Sequence, residues 1–284
     1  MTAPGFKIEN PRFEQFLSRG TREGVRVKTG IVELDEMLRG GFMEGDSVLL
    51  AGSAGSGKTT LALQYLVNGI TQFGEPGVYV TFEELPDQIY RDARNLGWDL
   101  RSLEEANKFK LVCTSPNLLL ESGAENILDE VIKELPAKRI AIDSLSHLAM
   151  YVEENQLRQE AYRLVRQLKT RELSSLLLWE VHQTGGSSFT VAEVGLSFLV
   201  DCIVLLKFVE IESSIKKALV IMKMRGSDHD KRLREYEITS HGVNVSAPFT
   251  HYEGIMTGAP RRSITEETAN SWALAFGKNK QKHS

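Results

Sequence analysis

Residues Gly52-Ser53-Ala54-Gly55-Ser56-Gly57-Lys58-Thr59 satisfy the pattern GxxxxGK[ST] at every fixed position. The apolar run Ser47-Val48-Leu49-Leu50-Ala51 precedes them, and a helical pattern from Thr60 to Ile70 follows. A strand leading through a glycine-rich turn into a helix is the setting in which this pattern binds phosphate. Glycines let the backbone N–H groups point inward, and the helix N-terminus lies behind them. The spacing sends Lys58 to the β- and γ-phosphates and makes the Thr59 hydroxyl a ligand for Mg²⁺. A mere tight connection is the competing reading of an isolated GxxxxGK, and the flanking strand and helix argue against it.

Working outward, Leu34, Met37 and Leu38 recur at helical spacing after Thr29-Gly30-Ile31, and Gly40-Gly41 closes that short helix before the first strand. Beyond the loop the chain alternates. Strands are predicted at 78–82, 109–113, 139–142 and 175–179, with helices at 86–96, 124–135 and 155–170 between them. Near-continuous apolar strands separated by amphipathic helices predict an α/β fold: a mainly parallel sheet with helices on both faces. After Leu196 strands dominate, at 202–208, 218–224, 233–238 and 243–245, which predicts antiparallel strands added at one edge. The organisation is thus an irregular N-terminal extension (1–28) with a short helix near Phe13 to Leu17, one ATPase-like domain (29–245), and a C-terminal extension (246–284) whose end is basic and reads as a disordered tail.

Composition narrows the function classes. A formal net charge of -4 argues against a whole-protein field that gathers nucleic acid. Cys113 and Cys202 both sit in apolar runs, which predicts buried free thiols and a reducing compartment. No stretch approaches the roughly 20 apolar residues that span a bilayer, and Met1 to Asn10 lacks a secretory pattern, so the expected location is the cytoplasm, with no membrane partner.

A phosphate-loop enzyme secures Mg²⁺ with a second acidic residue at the carboxyl end of a neighbouring apolar strand, and Ile140-Ala141-Ile142-Asp143 has that shape. A helix-capping role is the competing reading of Asp143. Hydrolysis also needs a base to orient water, and Glu83 and Glu84 stand together at the end of the 78–82 strand. Glu180, His182 and Gln183 follow the 175–179 strand toward the same edge, as candidate γ-phosphate sensors. Lys223 and Arg225 lie two apart in a late strand and so share a face. Such a pair is often merely solvated; it is also what a neighbouring subunit inserts to neutralise transition-state charge.

Thr29-Gly30 with Leu34-Asp35 and Gly40-Gly41, the phosphate loop, Glu83-Glu84 with Pro86, Gly97-Trp98-Asp99-Leu100, Ile142-Asp143-Ser144, and Lys223-Met224-Arg225-Gly226 with His229 together resemble the KaiC family of RecA-like ATPases. The resemblance runs from about Thr29 to Val245. It implies a RecA-like core that assembles as a ring, usually a hexamer, with ATP at subunit interfaces. On this resemblance Gly55, Ser56, Gly57, Lys58, Thr59 and Thr60 hold phosphate, Thr59 and Asp143 hold Mg²⁺, and Glu83 and Glu84 are the paired catalytic glutamates. Asn95 falls at a small polar position near the base. Lys223, Met224, Arg225, Ser227, His229, Thr239 and Ser240 align with the segment that reaches ATP from the adjacent subunit, Ser240 standing where the family's clock proteins have an acidic residue.

The resulting expectation is an ATP-hydrolysing oligomer that acts as a signalling or regulatory switch, read by a partner protein. Two alternatives compete with it: a DNA-dependent recombination ATPase, and a Ser/Thr autokinase or ATP-holding scaffold. Against the first, the stretch 183–190 carries no Lys or Arg.

Overall fold

The computed structural model describes residues 24–120, 127–181, 196–250, 252–256 and 260–262. The expected helix near Phe13 and the basic end at 277–284 lie outside them. The chain enters through β1 (Arg26–Val27), which pairs antiparallel with β2 (Phe42–Met43) across helix α1 (Val32–Met37). The Asp35 carboxylate fixes this entry by accepting from the Thr29 N–H at 2.7 Å, the Thr29 hydroxyl at 2.8 Å and the Gly30 N–H at 3.1 Å.

Then comes β3 (Ser47–Gly52), buried at every position, the phosphate-loop segment, and helix α2 (Lys58–Phe73), closed by Gly74 in the left-handed region. The alternation continues with β4 (Gly77–Thr81), α3 (Pro86–Asn95), α4 (Leu100–Glu105), β5 (Phe109–Cys113), α5 (Pro116–Leu120), α6 (Ile127–Glu134) and β6 (Arg139–Asp143). A 3-10 turn (Leu145–Met150), α7 (Glu154–Thr170) and β7 (Ser174–Glu180) follow. The late strands are β8 (Cys202–Ile211), β9 (Ser214–Met224), β10 (Arg234–Thr239) and β11 (Gly242–Pro248), with a small β12 (Tyr252–Glu253) and β13 (Arg261–Arg262) pair.

Nine strands form one sheet in the order β11-β10-β9-β8-β3-β7-β6-β4-β5. From β8 to β5 every pairing is parallel, and β9, β10 and β11 extend the sheet antiparallel. This is a RecA-like P-loop α/β fold, with the parallel sheet that the alternation predicts and the core that the resemblance implies. Successive residues of β3 alternate between its faces: Val48 and Leu50 pack into the core with Leu34, Leu61 and Leu66, whereas Leu49 packs with Leu145, Leu164 and Leu168. Among the described residues no helix is long and apolar enough to cross a membrane.

Two local findings depart from a reading by hydropathy. Cys113 is exposed at the end of β5, contrary to the expected burial, and Cys202 is buried at the start of β8. Burial pushes the Cys202 thiol well above its usual range, with the Asp46 carboxylate adding to the shift. Arg139, at the start of an apolar strand, is fully buried. Its guanidinium meets the Glu75 carboxylate at 2.6 Å, donates to the Tyr65 carbonyl at 2.9 Å and lies 4.5 Å from the Tyr65 ring centroid. A buried charge is tolerable only when paired in this way. Gly69, inside α2, is the space Arg139 uses: a Cβ there would stand 2.5 Å from its Cδ. That constraint outweighs the loss of about 1 kcal/mol in helix propensity relative to Ala.

Because β3, β4, β6 and β7 are parallel, their carboxyl ends bring Gly52, Thr81, Asp143 and Glu180 to one edge of the sheet. This edge, outside the carboxyl ends of the strands, is where ligands bind in open α/β sheets. The opposite edge holds the start of β8 and the end of β9, with Cys202 paired to Met224.

Candidate functional site

The loop geometry follows from its glycines and from what presses on it. Gly57 caps α2 with φ of 95°, and a Cβ there would stand 2.5 Å from Ile238 Cδ1 on β10. Only a glycine combines that backbone with that clearance. The phenol of Tyr236 donates to the Ser56 carbonyl, so β10 braces the loop from the side. Lys58 is buried, and its ammonium folds back onto the loop, donating to the carbonyls of Gly52 at 2.9 Å and Ser53 at 3.0 Å. Burial lowers its pKa, while the charges of Glu180 and Asp143 act in the opposite sense. The hydroxyls of Ser53 and Ser56 are buried without a partner among the described residues, and their chemistry suits donation to phosphate oxygens. Gly55 is exposed at the turn of the loop, and Thr60 is half-buried in the first turn of α2.

A further hydrogen bond ties the start of α2 to the end of β6. The Thr59 hydroxyl donates to Asp143 Oδ2 at 2.6 Å, and the Tyr79 phenol donates to the same oxygen at 2.7 Å. Asp143 ends β6, followed by a cis peptide bond to Ser144. Its carboxylate faces the loop rather than serving as a helix cap. The hydroxyl and carboxylate oxygens form a hard donor set, and Mg²⁺ is commonly held by one or two such groups together with substrate phosphates. Among the described residues no cluster of three or more His, Cys, Asp or Glu side chains suits a metal by itself. Thr59 and Asp143 therefore fit a Mg²⁺ ion shared with phosphate.

Glu83 and Glu84 leave β4 at the same edge, their N–H groups 3.4 and 3.2 Å from the Thr81 hydroxyl. They differ in setting. Burial raises the Glu84 pKa first, and the charges of Asp143, Asp92 and Glu83 push the same way. The Glu83 side chain is 72% exposed and meets His147 Nε2 at 3.1 Å. Glu180 joins this edge from β7: its N–H donates to Ser146 Oγ at 2.6 Å, and its charge acts on Lys58. His182 and Gln183 lie outside the described residues. Asn95 is exposed on the last turn of α3, about 14 Å along the helix from its start beside Glu84.

The segment from Lys223 to Ser240 is divided between the two edges. Gly52 pairs with Leu206, Val48 with Cys202, and Cys202 with Met224. Lys223, Met224 and Arg225 thus lie at the edge away from their own phosphate loop, about 13 Å or more along the strands. Lys223 donates to the carbonyls of Ser197 and Val200, each at 2.6 Å, and Arg225 donates to the Phe198 carbonyl at 2.7 Å. Both cations reach the segment 197–200. Ser227 accepts from Arg26 at 2.5 Å, and His229 Nδ1 is buried without a partner among the described residues. Thr239 and Ser240, by contrast, follow Ile238 into the β10–β11 turn, on the loop's side of the sheet. β9 and β10 run in opposite directions, so Thr239 and Ser240 lie at the end of the sheet away from Lys223 and Arg225.

Sequence reasoning missed Tyr79, His147 and Ser146. The first is hidden in an apolar strand; the other two sit in a 3-10 turn that carries no helical periodicity. The signal for His147 was its place four residues after Asp143.

Against known proteins, the family model described as "ATPase: KaiC" matches residues 27–249. The circadian clock oscillator protein KaiC of Thermosynechococcus vestitus is 36% identical over 256 residues, covering 89% of this chain and 48% of that protein. That of Nostoc sp. is 37% identical over 246 residues, covering 86% and 47%, and that of Synechococcus elongatus is 36% identical over 254 residues, covering 89% and 48%. The chain spans about half the length of these curated relatives. With a phosphate loop, paired glutamates and a β6 aspartate in one edge of a RecA-like sheet, and with the match covering most of its length, the chain belongs to the KaiC family of ATPases.

Proposed function

We propose that this protein binds ATP with Mg²⁺ and hydrolyses it at sites completed by a neighbouring copy, as a regulatory switch in the cytoplasm. The observation that carries the reading is the 2.6 Å contact of Thr59 with Asp143, which joins loop and strand end beside Glu83 and Glu84. ATP phosphates draw Lys58 from the carbonyls of Gly52 and Ser53 and take donors from Ser53, Ser56 and the loop N–H groups of Gly55 and Gly57. Mg²⁺ at Thr59 and Asp143 supplies charge neutralisation for the β- and γ-phosphates. Glu84, with its raised pKa, suits a base that takes a proton from the attacking water, and Glu83 orients that water beside it. Asn95, Thr239 and Ser240 belong to the base-binding side of the same subunit.

The rest of the site comes from the next subunit. Lys223 and Arg225 stand too far from their own loop to touch its nucleotide, and Met224, Ser227 and His229 travel with them. Two complementary halves at opposite edges of one chain make a head-to-tail interface, which generates a ring when it closes. A ring of six is the form we favour. Phe198, 57% exposed, and Tyr162, 52% exposed, line a groove of about 470 Å³ with Arg158 and Arg166 beside Arg225, an apolar surface that supports burial against a second copy. The name of the relatives, circadian clock oscillator protein, supports a regulatory output read by a partner protein.

Phosphate release from Mg-ATP by the purified chain tests the reading. Hydrolysis that is lost on Lys58→Ala supports it. Undiminished release by that variant contradicts it.

A further inference from the structure

We propose that His147 is a positioning residue for Glu83, fixing the direction of the carboxylate that orients water; the proposal rests on the ATPase reading above. Both ring nitrogens are engaged. Nε2 lies 3.1 Å from Glu83 Oε2, and Nδ1 lies 3.2 Å from Ser144 Oγ. With the proton on Nε2, a neutral imidazole donates to Glu83 and accepts from the Ser144 hydroxyl, so each partner fixes the role of the other nitrogen. The ring thereby links the end of β4 to the residue that follows Asp143.

The turn that carries His147 is itself held in place. Leu145 and Leu148 are buried on either side of it, and the hydroxyl of Ser146 accepts from the Glu180 N–H at 2.6 Å. Glu83 has no such packing: its side chain is mostly exposed, and an unrestrained glutamate samples many rotamers, at a cost when one must be selected. A rigid donor at 3.1 Å removes that search. His147 acts through Glu83 and makes no hydrogen bond to Lys58, Thr59 or the Asp143 carboxylate. The effect therefore falls on turnover and spares nucleotide affinity.

Steady-state phosphate release from Mg-ATP and equilibrium ATP binding test this on the full chain as wild type, His147→Ala, His147→Gln, Glu83→Gln and the Glu83→Gln/His147→Ala double variant. His147→Ala is expected to lower kcat by about tenfold, with KM and ATP affinity within about twofold. His147→Gln, which keeps a side-chain N–H at similar reach, is expected to recover kcat to within about threefold of wild type. In the Glu83→Gln background, His147→Ala is expected to cost nothing further. Wild-type kcat in His147→Ala, an equal loss in His147→Gln, or additive losses with Glu83→Gln each overturn the proposal and leave the ATPase reading standing. A wild-type protein that binds ATP and releases no phosphate overturns both.

Discussion

The two edges of the sheet are built on opposite principles. At the carboxyl ends of β3, β4, β6 and β7, neutral and anionic oxygens gather around a single ammonium, and two loop hydroxyls remain buried without partners. At the start of β8, cations gather around one buried carboxylate. Asp201 takes Lys169 at 2.5 Å and the Ser47 N–H at 3.0 Å, with Arg225 at 3.8 Å, while Lys223 is absorbed by backbone carbonyls. The first edge sets carboxylates and loop hydroxyls around Lys58; the second sets Lys169 and Arg225 around Asp201. The contrast supports the proposal that the catalytic site is shared by a pair of chains, each contributing a different edge.

The largest expected effect breaks the first edge. Lys58→Ala is expected to reduce turnover by about 10³-fold, since the phosphate charge then lies beside unpaired loop carbonyls, and phosphate release measures it. Arg225→Ala comes next. An arginine supplied in trans is worth about 10³-fold in kcat, so turnover falls by that order while ATP affinity, measured by equilibrium binding, stays within a few fold.

Asp201→Ala sharpens the comparison from the other side. It leaves the half-buried Lys169 and the buried Ser47 N–H without their acceptor and is expected to cost about 3 kcal/mol, read as a lower midpoint in denaturant at unchanged slope.

A pH-dependent effect concerns Asp46, which burial and the neighbouring Asp201 charge push from 3.8 up to about 7. Its Oδ2 is buried without a partner, consistent with that direction. Below about pH 4 both folded and unfolded states hold the proton; between there and about 7 the folded state binds it more strongly, so stability falls as pH rises through that window. Asp46→Asn is expected to raise the melting temperature near pH 8 and to leave it unchanged near pH 4.

What the sequence made legible was whatever depends on local pattern. The strands at 47–51, 78–82 and 139–142 were plain from their apolar runs, and the loop from its spacing, because each is specified by neighbours in the chain. Strand order was not, since nothing local places β3 between β8 and β7. The short helix α4 escaped periodicity, although Asp99 caps it by accepting from the Ser102 N–H. Cys113 looked buried by hydropathy and is exposed, because β5 is an edge strand. In the site, Thr59, Asp143 and the two glutamates were readable as motifs. The place of Thr239 on the loop's side of the sheet was not, because it depends on β10 running antiparallel to β9.

The central claim is that loop and arginine come from different chains, and subunit mixing tests it most directly. Lys58→Ala and Arg225→Ala proteins, each inactive alone, are combined under conditions that allow exchange, and phosphate release is measured. The account predicts that activity returns, because an intact loop from the Arg225→Ala chain meets an intact Arg225 from the Lys58→Ala chain. A mixture as inactive as its components, with exchange verified by mass, contradicts it.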